Sequence, residues 1–189
     1  MRAFIAIDIP QDLKDKFSQI QENLKKSDLE FKWVKPENLH LTLKFLGYID
    51  EQQLPEIIKV IEEIVYGQKS FKLRFESFGF FPDPRRPRVF FVGTNNQDLL
   101  KAMVQQLEIK LEKIGFPVES LPAGRQGRFQ SHLTLARIKS RKNLETLLKN
   151  LEKIKLEGDF AVKEIILYES ILKPTGPLYE KITSISLAE

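Results

Sequence analysis

The 189-residue chain contains two histidines, His40 and His132, and each opens the same word, His-Leu-Thr-Leu. Threonine makes up about a twentieth of ordinary sequences, so its recurrence two places after both histidines has a chance probability of about a few in a thousand, before the leucines are counted. The repetition therefore carries information. Side chains alternate along a strand, so His40 and Thr42 share one face while Leu39, Leu41 and Leu43 share the other. His132 and Thr134 repeat this arrangement opposite Leu133 and Leu135. Each word is a polar pair with an apolar anchor behind it. Two such strands brought together would converge two imidazoles and two hydroxyls on one cleft.

Those groups suit the opening of a cyclic phosphodiester. The reaction needs a base to take a proton from water and an acid to protonate the departing sugar oxygen, on opposite sides of phosphorus. Imidazoles with an unperturbed pKa near 6.5 can fill both posts near neutrality, and positioned proton transfer contributes about 10²–10⁴-fold in rate. Threonine hydroxyls can donate to the non-bridging oxygens as charge builds there. A lone strand histidine is usually structural, but two copies of one word argue against that. Zinc binding finds no support either: the histidines lie 92 residues apart, without cysteines and without a His-x-x-Glu or His-x-His pattern. Neither a metal nor any other cofactor is expected.

Bulk properties set the frame. Hydrophobic content is 42% and charged content 30%, which is ordinary for a soluble domain, and no stretch has the roughly 20 apolar residues of a membrane helix. The absence of cysteine excludes a disulfide scaffold and thiol catalysis and is compatible with a reducing cytoplasm, the expected location. Met1 to Pro10 is apolar but interrupted by Asp8, and it lacks a basic leader and a cleavage site, so export is not expected. A net charge of +4 leans towards polyanionic partners. A monomer is expected.

The elements that must position the two words follow from periodicity. A strand is predicted from Arg2 to Asp8, then a helix from Gln11 to about Lys26 with Leu13, Phe17, Ile20 and Leu24 on its apolar face. Strands follow from Phe31 to Val34 and Leu39 to Leu46. Asp50 caps a helix from Glu51 to Val65, and a strand runs from Phe71 to Phe80. The proline-rich stretch from Pro82 to Pro87 reads as a linker or crossover. After it the order restarts: strand Arg88 to Gly93, helix Gln97 to Ile114, strand Arg128 to Ile138, helix Arg141 to Ile154, and strands near Phe160 to Tyr168 and Tyr179 to Leu187. Aligning Arg2-Ala3-Phe4-Ile5 with Arg88-Val89-Phe90-Phe91 suggests an internal duplication, with approximate halves 1–81 and 88–189 in a single domain spanning 1–189. The leading arginine lies 38 residues before the motif histidine in the first half and 44 in the second, the excess falling between Phe116 and Gly127.

On these residues the chain resembles the two-histidine (2H) phosphoesterases, and within them the RNA 2',3'-cyclic phosphodiesterases historically called 2'-5' RNA ligases. The resemblance covers nearly the whole chain. It is carried by the blocks Arg2 to Ile7, Trp33 to Gly47, Pro84 to Val89, His132 to Arg137 and Gly176 to Glu180, the second being the most specific. It implies an α+β, bilobal fold: two pseudo-two-fold-related lobes, each an antiparallel sheet with flanking helices, and a cleft between them. It further implies opening of RNA 2',3'-cyclic phosphate ends, or of cyclic nucleotides, to 2'-phosphomonoesters. His40 would protonate the leaving 3' oxygen, His132 would activate water, and Thr42 and Thr134 would hold the phosphate. Sequence symmetry alone permits either order of the histidines. The family label also implies reversible 2'-5' ligation on the same site, and a binding module without turnover is the alternative from another functional class.

Further positions follow from the repeat. Phe45 and Arg137 each lie five residues after the motif histidine and could stack on a base, although an undistorted strand would give Phe45 the parity of the buried leucines. Trp33 reads as core or as a stacking platform, and Arg85, Arg86 and Arg88 as a solvated cluster or an RNA phosphate contact. Two features depart from the family. Ser131 stands where the family often has proline, and Leu121 to Gly127 reads as a loop insertion, an incidental surface loop rather than a basic flap.

Overall fold

The computed structural model describes residues 1–117 and 129–189; the predicted insertion from Leu121 to Gly127 lies outside them. Strand β1 (Arg2–Asp8) leads into helix α1 (Gln11–Lys25), a short strand β2 (Phe31–Trp33) and the first motif strand β3 (His40–Tyr48). Helix α2 (Leu54–Val65) and strand β4 (Phe71–Phe81) follow, then β5 (Val89–Thr94), α3 (Gln97–Glu112) and the second motif strand β6 (His132–Ile138). Helix α4 (Leu144–Leu151) and strands β7 (Asp159–Val162), β8 (Glu164–Lys173) and β9 (Gly176–Ser186) close the chain. The fold is α+β, with four helices and a curled antiparallel sheet among the described residues.

Strand order within the sheet is β7-β4-β5-β6-β3-β1-β8-β9, with β2 paired to β6. The two motif strands are central neighbours joined through a single residue pair, Leu41 opposite Leu133. One arm, β3-β1-β8-β9, thus meets the other, β6-β5-β4-β7, at a narrow seam. The arms do not coincide with the sequence halves: β4 sits beside β5, while β8 sits beside β1. The helices reciprocate across the seam. Gln21 of α1 donates to the Leu135 carbonyl of β6 at 2.9 Å, and Glu108 of α3 pairs with Lys44 of β3 at 3.6 Å.

Packing explains the choice of face. Leu39, Leu41, Leu43, Leu133 and Leu135 are all buried, in one cluster with Leu13, Phe17 and Leu24 of α1 and Leu100, Val104 and Leu107 of α3. Burying such side chains is worth about 1.5–3 kcal/mol each, so slipping either motif strand by one residue would forfeit several at once. Register is fixed by that penalty. No helix among the described residues is long and apolar enough to cross a membrane.

Four sequence expectations need correction. The single strand expected near Phe160 to Tyr168 is two strands that turn at Lys163 and go to different arms, β7 to β4 and β8 to β1; the apolar run has no Gly or Pro to announce the break. The stretch from Pro82 to Pro87 is the loop of a β4–β5 hairpin rather than a crossover, closed by Arg88 N–H donating to the Phe81 carbonyl at 2.6 Å. Helix α4 begins only at Leu144, after Asn143 adopts a left-handed conformation. The alignment of the halves on Arg2 and Arg88 is one residue out, because the structure places Ile5 opposite Lys44 and Phe90 opposite Ala136, the matching motif position.

Candidate active site

Both motif strands carry the same distortion. Ile5 and Ala6 of β1 pair with Lys44 and Thr42, leaving Leu43 as an extra residue. Phe90 and Phe91 of β5 pair with Ala136 and Thr134, leaving Leu135 extra. A bulge puts two consecutive residues on one face and reverses the alternation beyond it. Leu43 and Lys44 are accordingly both buried, as are Leu135 and Ala136. The fifth residue after each histidine is thereby turned outward: Phe45 is 53% exposed and Arg137 is exposed, and both line the cleft. Strand parity had left Phe45 between core and cleft; the bulge decides for the cleft.

The cleft has a volume of about 400 Å³ and is lined by His40, Thr42, His132 and Thr134 together. Around the Leu41–Leu133 pair, antiparallel register sets His40 towards Thr134 and Thr42 towards His132. All four residues singled out by the repeated word therefore share one surface. Trp33 is half-buried, packed on Phe31 and Phe90, and also faces the cleft. Arg85, Arg86 and Arg88 are exposed and do not line it.

Each imidazole is held in the same way. The Asn38 carbonyl accepts from His40 Nδ1 at 2.8 Å, and the Gln130 carbonyl accepts from His132 Nδ1 at 2.6 Å. With a proton on Nδ1, Nε2 of each ring is the nitrogen left for chemistry. Thr42 Oγ1 donates to His40 Nε2 at 2.9 Å. Aromatic rings enclose both histidines. Phe4 and Tyr179 lie 4.8 and 5.2 Å from the His40 centroid, while Phe81 and Phe91 lie 4.8 and 5.3 Å from that of His132. Gly79 makes room on the second side, since a Cβ there would collide with the Phe91 ring.

Burial dominates the proton affinity of both rings. Desolvation pulls His40 down to about 4, opposed by the Asn38 carbonyl and by Asp8, and assisted by Lys14 and His132. Burial also lowers His132, opposed by the Gln130 carbonyl. Both shifts favour the neutral imidazole, and an anion bound between the rings would favour protonation of whichever ring faces it.

Sequence reasoning missed much of this shell. Phe4, Phe81, Phe91 and Tyr179 are ordinary strand aromatics by pattern, and only Phe4 and Tyr179 fell in blocks singled out by resemblance. Asn38 is buried and donates to the Pro177 carbonyl at 2.8 Å, fixing the turn whose own carbonyl orients His40. Ser131 exploits its departure from proline: its N–H donates to Gln97 Oε1 at 2.9 Å and its Oγ accepts from Thr94 at 2.9 Å. A proline would lack that donor.

Comparison with known proteins agrees with the geometry. A family model described as LigT like Phosphoesterase matches the chain twice, over residues 7–91 and 92–179. Curated proteins named RNA 2',3'-cyclic phosphodiesterase are similar throughout. That of Methanothermobacter thermautotrophicus is 35% identical over 182 residues, 95% of either chain. That of Thermotoga maritima is 37% identical over 181 residues, 95% of this chain and 92% of the other. Among solved structures, a Thermus thermophilus protein superposes with a TM-score of 0.78 at 26% identity, covering 99% of this chain and 98% of that one. E. coli LigT, crystallised with 3'-AMP, shares the fold with a TM-score of 0.76 at 23% identity, covering 100% and 98%. Doubled motif, paired strands and sequence relatives converge: the chain belongs to the LigT-like family of 2H phosphoesterases.

Proposed function

We propose that this protein opens RNA 2',3'-cyclic phosphate ends to 2'-phosphomonoesters by acid–base catalysis with two histidines and without a metal. The observation that carries the reading is the convergence of His40, Thr42, His132 and Thr134 on one cleft about the Leu41–Leu133 seam. Relatives at 35–37% identity over nearly the full chain, each named RNA 2',3'-cyclic phosphodiesterase, support the substrate class. The doubled family match supports an internal duplication within one domain.

The phosphate sits between the two Nε2 atoms. Its negative charge raises the affinity of His40 for a proton, offsetting the burial that lowers it. Protonated His40 then gives its proton to the departing 3' oxygen, while neutral His132 takes one from the attacking water. Thr42 turns its hydroxyl from His40 Nε2 to a non-bridging oxygen, and Thr134 serves another, where the transition state gathers charge. Phe45 and Arg137 leave the seam in opposite directions along antiparallel strands and contact the nucleoside from the two ends of the cleft. The chain acts as a cytoplasmic monomer, a location compatible with its lack of cysteine.

The deciding experiment is turnover of a 2',3'-cyclic phosphate oligonucleotide in EDTA, with identification of the product. A 2'-phosphate end is expected. A 3'-phosphate end would overturn the assignment of the leaving oxygen, and loss of activity in EDTA would overturn the mechanism.

A further inference from the structure

Cations on this protein are managed in two ways. Ten ion pairs tie lysine or arginine to carboxylates among the described residues, and only the Arg74–Glu76 pair uses an arginine. Arg2, Arg85, Arg86, Arg88, Arg137 and Arg141 have no carboxylate within ion-pair distance among those residues. Arg2 and Arg137 line the cleft, and Arg85, Arg86, Arg88, Arg137 and Arg141 are all exposed, in a strip of chain made of the β4–β5 hairpin loop and the end of β6 beside it. Arg137 lines the cleft and is opposite Val89, next to Arg88. The Arg88 carbonyl accepts from Ile138 N–H at 2.9 Å, and the Arg85 carbonyl accepts from Arg141 Nη1 at 3.2 Å.

The strip is also pre-shaped. Asp83, the nearest carboxylate in the hairpin loop, is engaged with backbone: its Oδ1 accepts from the N–H groups of Arg85 at 2.7 Å and Arg86 at 3.2 Å. The loop is therefore held in place while its guanidinium groups pair with no carboxylate among the described residues, lowering the ordering cost of binding. Arginine presents a planar fork of donors suited to phosphate oxygens.

We propose that this strip, from Arg137 through Arg88 to Arg85, Arg86 and Arg141, binds the phosphate backbone of the RNA strand leading away from the reacting end. The inference rests on the reading of the cleft as a cyclic phosphate site and adds that the substrate is a strand several nucleotides long. A reacting terminal nucleotide is joined to the rest of its chain, and that chain must leave the cleft along some surface. This one offers arginines with no carboxylate at ion-pair distance among the described residues, on the loop and strand end that adjoin Arg137 of the cleft.

The test compares two probes, adenosine 2',3'-cyclic phosphate and a ten-nucleotide single strand ending in 2',3'-cyclic phosphate, on the wild type and on the combined variant R85Q/R86Q/R88Q/R141Q. For the strand, kcat/KM falls about tenfold or more near 0.1 M salt, and its log–log salt slope becomes shallower by up to about 3, as expected for four lost phosphate contacts at about 0.7 each. The mononucleotide changes by less than about twofold, within the reach of altered long-range steering alone. Equal losses on both probes, or none on either, would overturn the strip. So would equally strong competition by polyglutamate and by a non-cleavable RNA strand. Anisotropy with a 2'-phosphate-ended strand separates the two ideas: if no cyclic phosphate is turned over but the variant still binds this strand more weakly with a shallower salt slope, the strip stands and the proposed reaction falls.

Discussion

The surroundings of His40 and His132 match in backbone and differ in charge. Both rings give Nδ1–H to the carbonyl two residues earlier, both precede a bulge at the same motif position, and both are flanked by aromatic rings. The strand residue opposite each is different. His40 faces Asp8, which pairs with Lys14 at 2.8 Å, whereas His132 faces Gly93. Sterics do not impose the glycine, since a Cβ at Gly93 would meet nothing closer than Ser77 Oγ at 3.5 Å. Tyr168 joins the acidic side: burial, then Asp8, holds its phenol above the usual range. A symmetric scaffold thus presents two alike nitrogens with unlike charges beside them: Asp8 favours the His40 cation and Lys14 opposes it.

The strongest attack on this comparison removes a ring. His40→Ala and His132→Ala should each lower kcat by about 10²–10⁴-fold in the cyclic phosphate assay. Full activity in the double variant would end the two-histidine mechanism. Next come the hydroxyls. Thr42→Val and Thr134→Val should each cost about 10–10²-fold in kcat, the worth of a hydrogen bond to a charged group. A large effect at one position and none at the other would show that the phosphate sits off the seam.

Asp8 tests the asymmetry directly. Asp8→Asn removes a negative charge that favours the His40 cation, so the alkaline limb of the rate profile, where the acid loses its proton, should move down by about half to one pH unit. Lys14→Gln should move it up. With only two histidines in the chain, their ring signals in NMR titrations can be assigned from the alanine variants. The His40 titration should follow both changes and that of His132 should follow neither; movement of both together would refute the distinction. Binding should also matter: because an anion raises His40, the alkaline limb of kcat should lie above that of kcat/KM.

The smallest expected effect is on the other ring. Gly79→Ala pushes Phe91 against His132 and should cost about 1–3 kcal/mol of stability by overpacking, read by denaturant unfolding, with a few-fold loss in kcat. It should leave the His40 titration in place.

Much of the site was legible in two short words. Alternation in a strand was enough to pair His40 with Thr42 and His132 with Thr134, because the leucines between them have to be buried. Alternation also misdirects beyond the third motif residue. Phe45 reaches the cleft only because Leu43 is an extra residue against β1, and a bulge is a relation between two strands that no single-strand pattern records. The same limit hid the split between β7 and β8, whose partners lie in different arms.

Composition and repetition by themselves determined a cysteine-free chain of mixed strands and helices, with paired histidine–threonine faces and apolar anchors behind them; the α+β class came from the family resemblance. Tertiary structure alone decided how those faces meet, at one residue pair between two arms, and which histidine has a carboxylate beside it. The physical reason is that burial patterns are written residue by residue, whereas a cleft and its electrostatics depend on strands brought together from opposite ends of the chain.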